Sequence, residues 1–138
     1  MRKYSFYAAF MLITGISLLP GCGKDTSTPG SSDPRSVFYG TWSVNEIHTK
    51  LNYDVTVSAD TGKTGVFIAN FGGAGSSVKA HALISGNEIG LSPAGQSMSN
   101  GWVIDGSGSL TGSTKIDWTY TIDDGATLIY CQATYTKK

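Results

Sequence analysis

From Val37 to Lys138, apolar and polar residues alternate in short runs broken by glycine and turn pairs, and no stretch sustains a helical period. Successive side chains of a strand point to opposite faces, so such alternation predicts half-buried strands. The first is expected over Gly40 to Thr49 and the second over Tyr53 to Ala59, with Tyr53, Val55 and Val57 on one face. Asp60-Thr61-Gly62-Lys63 turns the chain into a third strand, Gly65 to Asn70, and the glycine-rich stretch Phe71 to Ser76 reads as a flexible loop. A fourth strand, Ser77 to Ser85, sets Val78, Ala80, Ala82 and Ile84 against Lys79, His81 and Leu83. Gly86-Asn87 turns into a short fifth strand, Glu88 to Leu91, and Ser92 to Gly101 is a polar loop. The sixth strand, Trp102 to Leu110, is expected to bend at Gly106 or Gly108. The seventh, Lys115 to Ile122, has the clearest pattern, with Ile116, Trp118, Tyr120 and Ile122 on one face. Asp123-Asp124-Gly125 is a hairpin signal before the eighth, Thr127 to Thr136, where Ile129, Cys131, Ala133 and Tyr135 share a face.

About eight short strands joined by tight turns define an all-β class: an antiparallel meander closed into a small barrel, or folded into a β-sandwich. An eight-stranded barrel is just wide enough to be filled by side chains or to hold one small ligand.

The amino terminus follows a different rule. Arg2 and Lys3 precede 16 residues, Tyr4 to Leu19, that carry no charge and are rich in Phe, Leu, Ile and Met. A spanning helix needs roughly 20 apolar residues, so this length suits a signal-peptide core better than an uncleaved anchor. Residues 23 to 36 are Gly, Ser, Thr and Pro-rich with no aliphatic or aromatic residue, the composition of a flexible tether. Three segments are expected: a signal peptide over 1–21, a lipidated cysteine with tether over 22–36, and a β-domain over 37–138.

Leu19-Pro20-Gly21-Cys22, directly after the apolar core, resembles the bacterial lipobox, with Pro20 departing from its usual small or aliphatic residue. That resemblance implies a diacylglycerol thioether on Cys22, cleavage before it and acylation of the new amino group. Two or more acyl chains anchor stably, at about 0.8 kcal/mol per buried CH₂. Lys24-Asp25 is weakly similar to the export signals of Bacteroidetes surface lipoproteins, and a chance charge pair accounts for it equally well. The chain has two cysteines, Cys22 and Cys131. A disulfide is the alternative an oxidising envelope would allow, but a thioether on Cys22 excludes it and leaves Cys131 as a small core residue on an alternating strand.

The whole chain holds ten basic and ten acidic residues, and removal of Arg2 and Lys3 leaves eight against ten, a formal charge of −2. No basic patch remains, which argues against nucleic acid as a partner.

Tyr39-Gly40-Thr41-Trp42 opens the first strand, and its Gly-x-Trp resembles the signature of calycins, the group of lipocalins and avidins. The resemblance implies that Trp42 packs across one barrel end. Together with Ile68-Ala69-Asn70-Phe71, Gly106-Ser107-Gly108 and Ala133 to Lys137, the chain looks like the small lipocalin-like lipoprotein domains of Bacteroidetes. That group implies no established activity. The avidin likeness stops at Gly40-Thr41-Trp42.

Tyr53, Trp102, Trp118 and Tyr120 are the candidates to line a ligand cavity, with an aromatic core as the alternative reading. His48 and His81 are the only histidines and lack metal-ligand spacing, and His81, sharing a face with Lys79, is expected to be solvated. Asp105 and Asp117 lie on strands, and Asp123 and Asp124 read as turn residues. No nucleophile, paired acid and base, metal site or cofactor motif stands out, so no enzyme, catalytic residue or cofactor is expected. The expectation is a monomeric outer-membrane lipoprotein of the cell envelope, periplasmic or surface-exposed, held by palmitate-type lipid on Cys22. Its barrel binds a small apolar ligand or a peptide. The alternative is a filled barrel that engages an envelope protein through its loops.

Overall fold

The computed structural model describes residues 32–138, so Cys22 and the expected signal peptide lie outside the described residues. The strands are β1 (Gly40–Glu46), β2 (Asn52–Ala59), β3 (Gly65–Ala69), β4 (Lys79–Ser85), β5 (Glu88–Leu91), β6 (Gln96–Ser97), β7 (Val103–Thr111), β8 (Lys115–Asp123) and β9 (Leu128–Lys137). Two 3₁₀ turns, Ser36–Phe38 and Phe71–Gly73, complete the elements. All pairings are antiparallel between neighbours in space, and β9 returns to β1. β5 skips the two-residue β6 and pairs β7 through Glu88↔Ser109, Ile89↔Gly108 and Gly90↔Ser107. Those two closures decide barrel over sandwich: eight strands form a closed meander, and β6 merely extends β7.

The alternation seen in the sequence is the inside-outside alternation of the wall. β8 shows it most cleanly, with Ile116, Trp118, Tyr120 and Ile122 buried and Lys115, Asp117 and Thr119 exposed. Full burial of each such side chain is worth about 1.5–3 kcal/mol. β7 runs unbroken through the two glycines at which a bend was expected, in continuous register with β8, and close packing is what requires them. A Cβ on Gly106 would lie 2.4 Å from the Thr119 carbonyl oxygen, and one on Gly108 would lie 2.8 Å from the Trp118 indole. Glycine at 108 thus lets the neighbouring strand's tryptophan lie flat against the wall.

One end is sealed by Trp42, fully buried at the start of β1, whose Nε1–H donates to the Phe38 carbonyl at 2.8 Å. Phe38, also fully buried, arrives on the first 3₁₀ turn. The Lys137 ammonium donates to the Val37 carbonyl at 2.6 Å and stands 5.3 Å over the Trp42 ring. Asp33 and Arg35, at the described end of the stretch whose composition reads as tether, are tied down. Arg35 is buried, pairs with Asp33 at 2.9 Å and donates to the carbonyls of Gly62 and Gly65 at 2.6 and 2.8 Å. Charge pairing anchors it, which a search for apolar residues does not detect.

Candidate functional site

The barrel axis is filled. Trp118 and Tyr120 project inward from β8, and Tyr135 projects inward from β9. The stretch Phe71 to Ser76, expected to be a flexible loop, instead inserts Phe71 among them. Its ring is fully buried, 5.3 Å from Trp118 in a T-shaped pair and 4.7 Å from Tyr120. Hydrogen bonds hold the loop at its base: Asn70 Nδ2–H donates to the Asp54 carbonyl at 2.8 Å, and the Gly75 N–H donates to Asn70 Oδ1 at 2.7 Å. Burial of one aromatic ring thus converts glycine-rich chain into a packed plug. Of the four candidate lining residues, Trp118 and Tyr120 are core, while Tyr53 and Trp102 are half-buried and pack at the edge of that core.

Beside the plug lies a polar cluster that the sequence reading missed. Glu46 is buried and accepts hydrogen bonds from the hydroxyls of Tyr53 (2.9 Å), Tyr120 and Thr49. The signal was available: Trp42, Val44 and Glu46 are spaced by two, so a strand that buries Trp42 buries Glu46. Burial and the nearby Glu46 charge raise the Tyr53 hydroxyl above its usual pKa. Burial above all, then the neighbouring Tyr135 and Tyr53, raises Tyr120 further. Cys131, opposite Tyr120 in the β8–β9 register, is also raised, first by burial and then by the Glu46 charge. These groups therefore stay protonated at neutral pH, and the cluster is a network of hydroxyl donors on one carboxylate. Trp118 Nε1 and the Tyr135 hydroxyl, both buried, have no partner among the described residues.

The open space lies in the wall. β8 flanks β9 from Leu128 to Thr136, whereas β1 flanks it only from Ala133 to Lys137, because β1 ends at Glu46. The Ile47 N–H still reaches the Gln132 carbonyl at 2.9 Å, and then the chain turns away. The resulting gap is a cleft of about 610 Å³ lined by Ile47, His48, Leu128, Ile129, Tyr130 and Cys131, among others. Its rim is apolar and solvated: Ile47 is 61%, Leu128 51% and Tyr130 71% exposed. A second, shallower depression of about 290 Å³ lies over Gly106 on the outer wall.

The remaining candidates do not converge. Asp117 pairs with Lys115 at 2.8 Å on the surface. Asp123 and Asp124 accept backbone N–H groups within their own turn. His48 borders the cleft. His81, expected to be solvated, is instead half-buried between two acceptors: Asp60 Oδ2 at 2.7 Å and the Ser92 carbonyl at 2.9 Å. Both ring nitrogens are bonded at once only in the imidazolium, and hydrogen bonding to Asp60 raises the His81 pKa accordingly. Among the described residues, no three His, Cys, Asp or Glu side chains are grouped to hold a metal.

No family model and no curated protein matches the chain. Among solved structures, the chain is similar to EF1p2_mFAP2b bound to DFHBI, with a TM-score of 0.52 and 10% identity, over 77% of this chain and 98% of that one. At that identity the likeness concerns the fold.

Proposed function

We propose that this protein is a lipid-anchored envelope protein whose β-barrel binds a small apolar ligand or a peptide in the cleft between the end of β1 and the start of β9. The cleft is the observation that carries this reading. At about 610 Å³ it falls within the range of small-molecule sites, and its lining combines exposed aliphatic and aromatic surface with His48 and Gln132. The similarity to a barrel solved with a small molecule bound is compatible with such a role. The anchoring half rests on Leu19-Pro20-Gly21-Cys22 behind an uncharged apolar stretch. Acylation there would hold the barrel at the membrane through the intervening polar segment.

The test uses the full chain in a lipid nanodisc and the neutral fluorescent probe N-phenyl-1-naphthylamine, with binding read as emission in excess of nanodiscs without protein, since the probe also enters the bilayer. Replacing both Ile47 and Leu128 by lysine should abolish probe binding and leave the fold intact, since both side chains are largely exposed. Binding that survives this pair but is lost in Trp102→Ala would move the site to the barrel mouth. The packed axis supports the second reading, a filled barrel that acts through its loops, and that reading requires the wild-type protein to bind no probe at all.

A further inference from the structure

The cleft is bounded by backbone as well as by side chains. Along a strand, the N–H and C=O of successive residues point alternately to its two neighbours. The Gln132 carbonyl points to β1, where it accepts from Ile47. By that alternation Tyr130 and Leu128 also turn their N–H and C=O toward the β1 side, where β1 has already ended. The amides of Ile129 and Cys131 belong to the continuous ladder with β8. From Leu128 to Cys131, β9 is therefore an edge set in an otherwise closed barrel, paired to β8 on one side and with no strand on its β1 side among the described residues. Natural edges are commonly blunted by lysine, proline or a bulge. This one carries none of these and presents Leu128 and Tyr130 outward and Ile129 and Cys131 inward.

Resting on the cleft reading above, we propose that its occupant is an extended peptide that continues the course of β1 beyond Ile47, pairs antiparallel with Leu128–Cys131 and completes the barrel wall. Two observations favour a peptide of defined character. The β1–β9 ladder runs unbroken to the Ile47–Gln132 bond, so an added strand continues an existing register. The far end of the cleft meets the Asp123–Thr127 turn, where the Asp124 carboxylate is held ionised by the N–H groups of Ala126 and Thr127. A peptide running as β1 runs has its carboxy-terminal end there, so a basic residue at that end meets Asp123 and Asp124. Apolar residues at alternate positions meet Ile129 and Cys131. Backbone pairing provides the affinity and the alternate side chains the selectivity, as in strand addition generally.

The experiment is residue-resolved hydrogen exchange on the full chain in a lipid nanodisc. It uses a capped five-residue peptide of alternating threonine and valine ending in lysine. The peptide is expected to slow exchange of the Leu128 and Tyr130 amides at least about tenfold and to leave Ile129 and Cys131, already bonded to β8, unchanged. The same peptide N-methylated on its β9-facing residues should give no protection. Ending the peptide in glutamate should weaken binding about threefold, the scale of an exposed charge pair. Equal protection by the N-methylated peptide, or none from the parent, overturns strand addition, and a glutamate peptide that protects equally well overturns the basic-peptide assignment. If N-phenyl-1-naphthylamine binding still depends on Ile47 and Leu128, the cleft reading survives that failure; if neither probe nor peptide binds, both fail. Protection of Leu128 and Tyr130 that rises with protein concentration alone would assign the edge to a second copy of this chain and overturn the proposal.

Discussion

Replacing Phe71 by alanine tests whether the barrel axis is filled by design. The ring is fully buried and reaches the axis on a glycine-rich turn, outside any strand. Truncating a buried phenylalanine to alanine costs about 3–5 kcal/mol, combining lost transfer energy with the cavity left behind. The edge-on contact with Trp118 and the tilted contact with Tyr120 place Phe71 toward the upper part of that range, since each aromatic pair adds about 0.5–1.5 kcal/mol beyond its buried area. The loop itself can relax, because Asn70 rather than Phe71 bonds it to Asp54, and relaxation lowers the cost. The expected loss is about 3–4 kcal/mol, which for a domain of this size lowers the melting temperature by roughly 15 °C or more. Urea unfolding followed by tryptophan emission measures it directly, since Trp118 lies in van der Waals range of the lost ring. The urea midpoint should fall with little change in slope. A cost under about 1 kcal/mol, with unchanged Trp118 emission, would mean that Phe71 is not packed in solution. The axis would then be open, and the barrel mouth would replace the wall cleft as the first candidate for ligand.

Three further outcomes follow from particular contacts. The His81–Asp60 pair makes stability depend on pH in a defined direction. The Asp60 hydrogen bond raises His81 above the ordinary histidine pKa of 6.5, so its contribution is complete below about pH 6.5 and is lost as pH rises through the folded value; the same bond lowers Asp60 below the ordinary 3.8, so its contribution is present above that value and is lost as pH falls. Stability against pH should therefore decline above about pH 6.5, and His81→Gln should flatten that limb in denaturant titrations at several pH values. Gly108→Ala should destabilise by about 1–3 kcal/mol and shift the Trp118 emission, because the new methyl would lie 2.8–2.9 Å from the indole and Ile116. Cys22→Ala should abolish palmitate labelling in cells while the circular dichroism of the barrel is retained; a labelled variant would refute lipid attachment at Cys22.

Much of the wall was legible because each strand buries one face, and a period of two in the residues records that burial. β8 reads from Lys115 to Asp123 with a single residue of discrepancy at its end. β6 was missed because two residues cannot display a period. The aromatic candidates were recognised by type, but their fates diverged by position: Trp118 and Tyr120 sit mid-strand and fill the axis, whereas Tyr53 and Trp102 sit near strand ends and remain half-exposed. Glu46 was overlooked because a carboxylate is ordinarily solvated, even where the alternation of its strand places it on the inward face. Its burial depends on the hydroxyls of Tyr53 and Tyr120, which come from β2 and β8.

Local alternation and turn chemistry by themselves determined the all-β class, the course of eight strands and their inward faces, because those properties depend on neighbours a few residues away; the first strand, expected to run to Thr49, ends at Glu46, where its partner strand β9 runs on without it. The same local reading supplied the apolar amino-terminal stretch and the cysteine that follows it. Tertiary structure alone decided whether the meander closes, since closure requires β5 to meet β7 and β9 to meet β1 across a long span of chain. It also turned the Phe71 loop from flexible chain into a plug, because only the assembled axis offers Trp118 and Tyr120 to pack against. The cleft could arise nowhere else: it is the difference in length between β1 and β9, two strands at opposite ends of the described chain that become neighbours only when the barrel shuts.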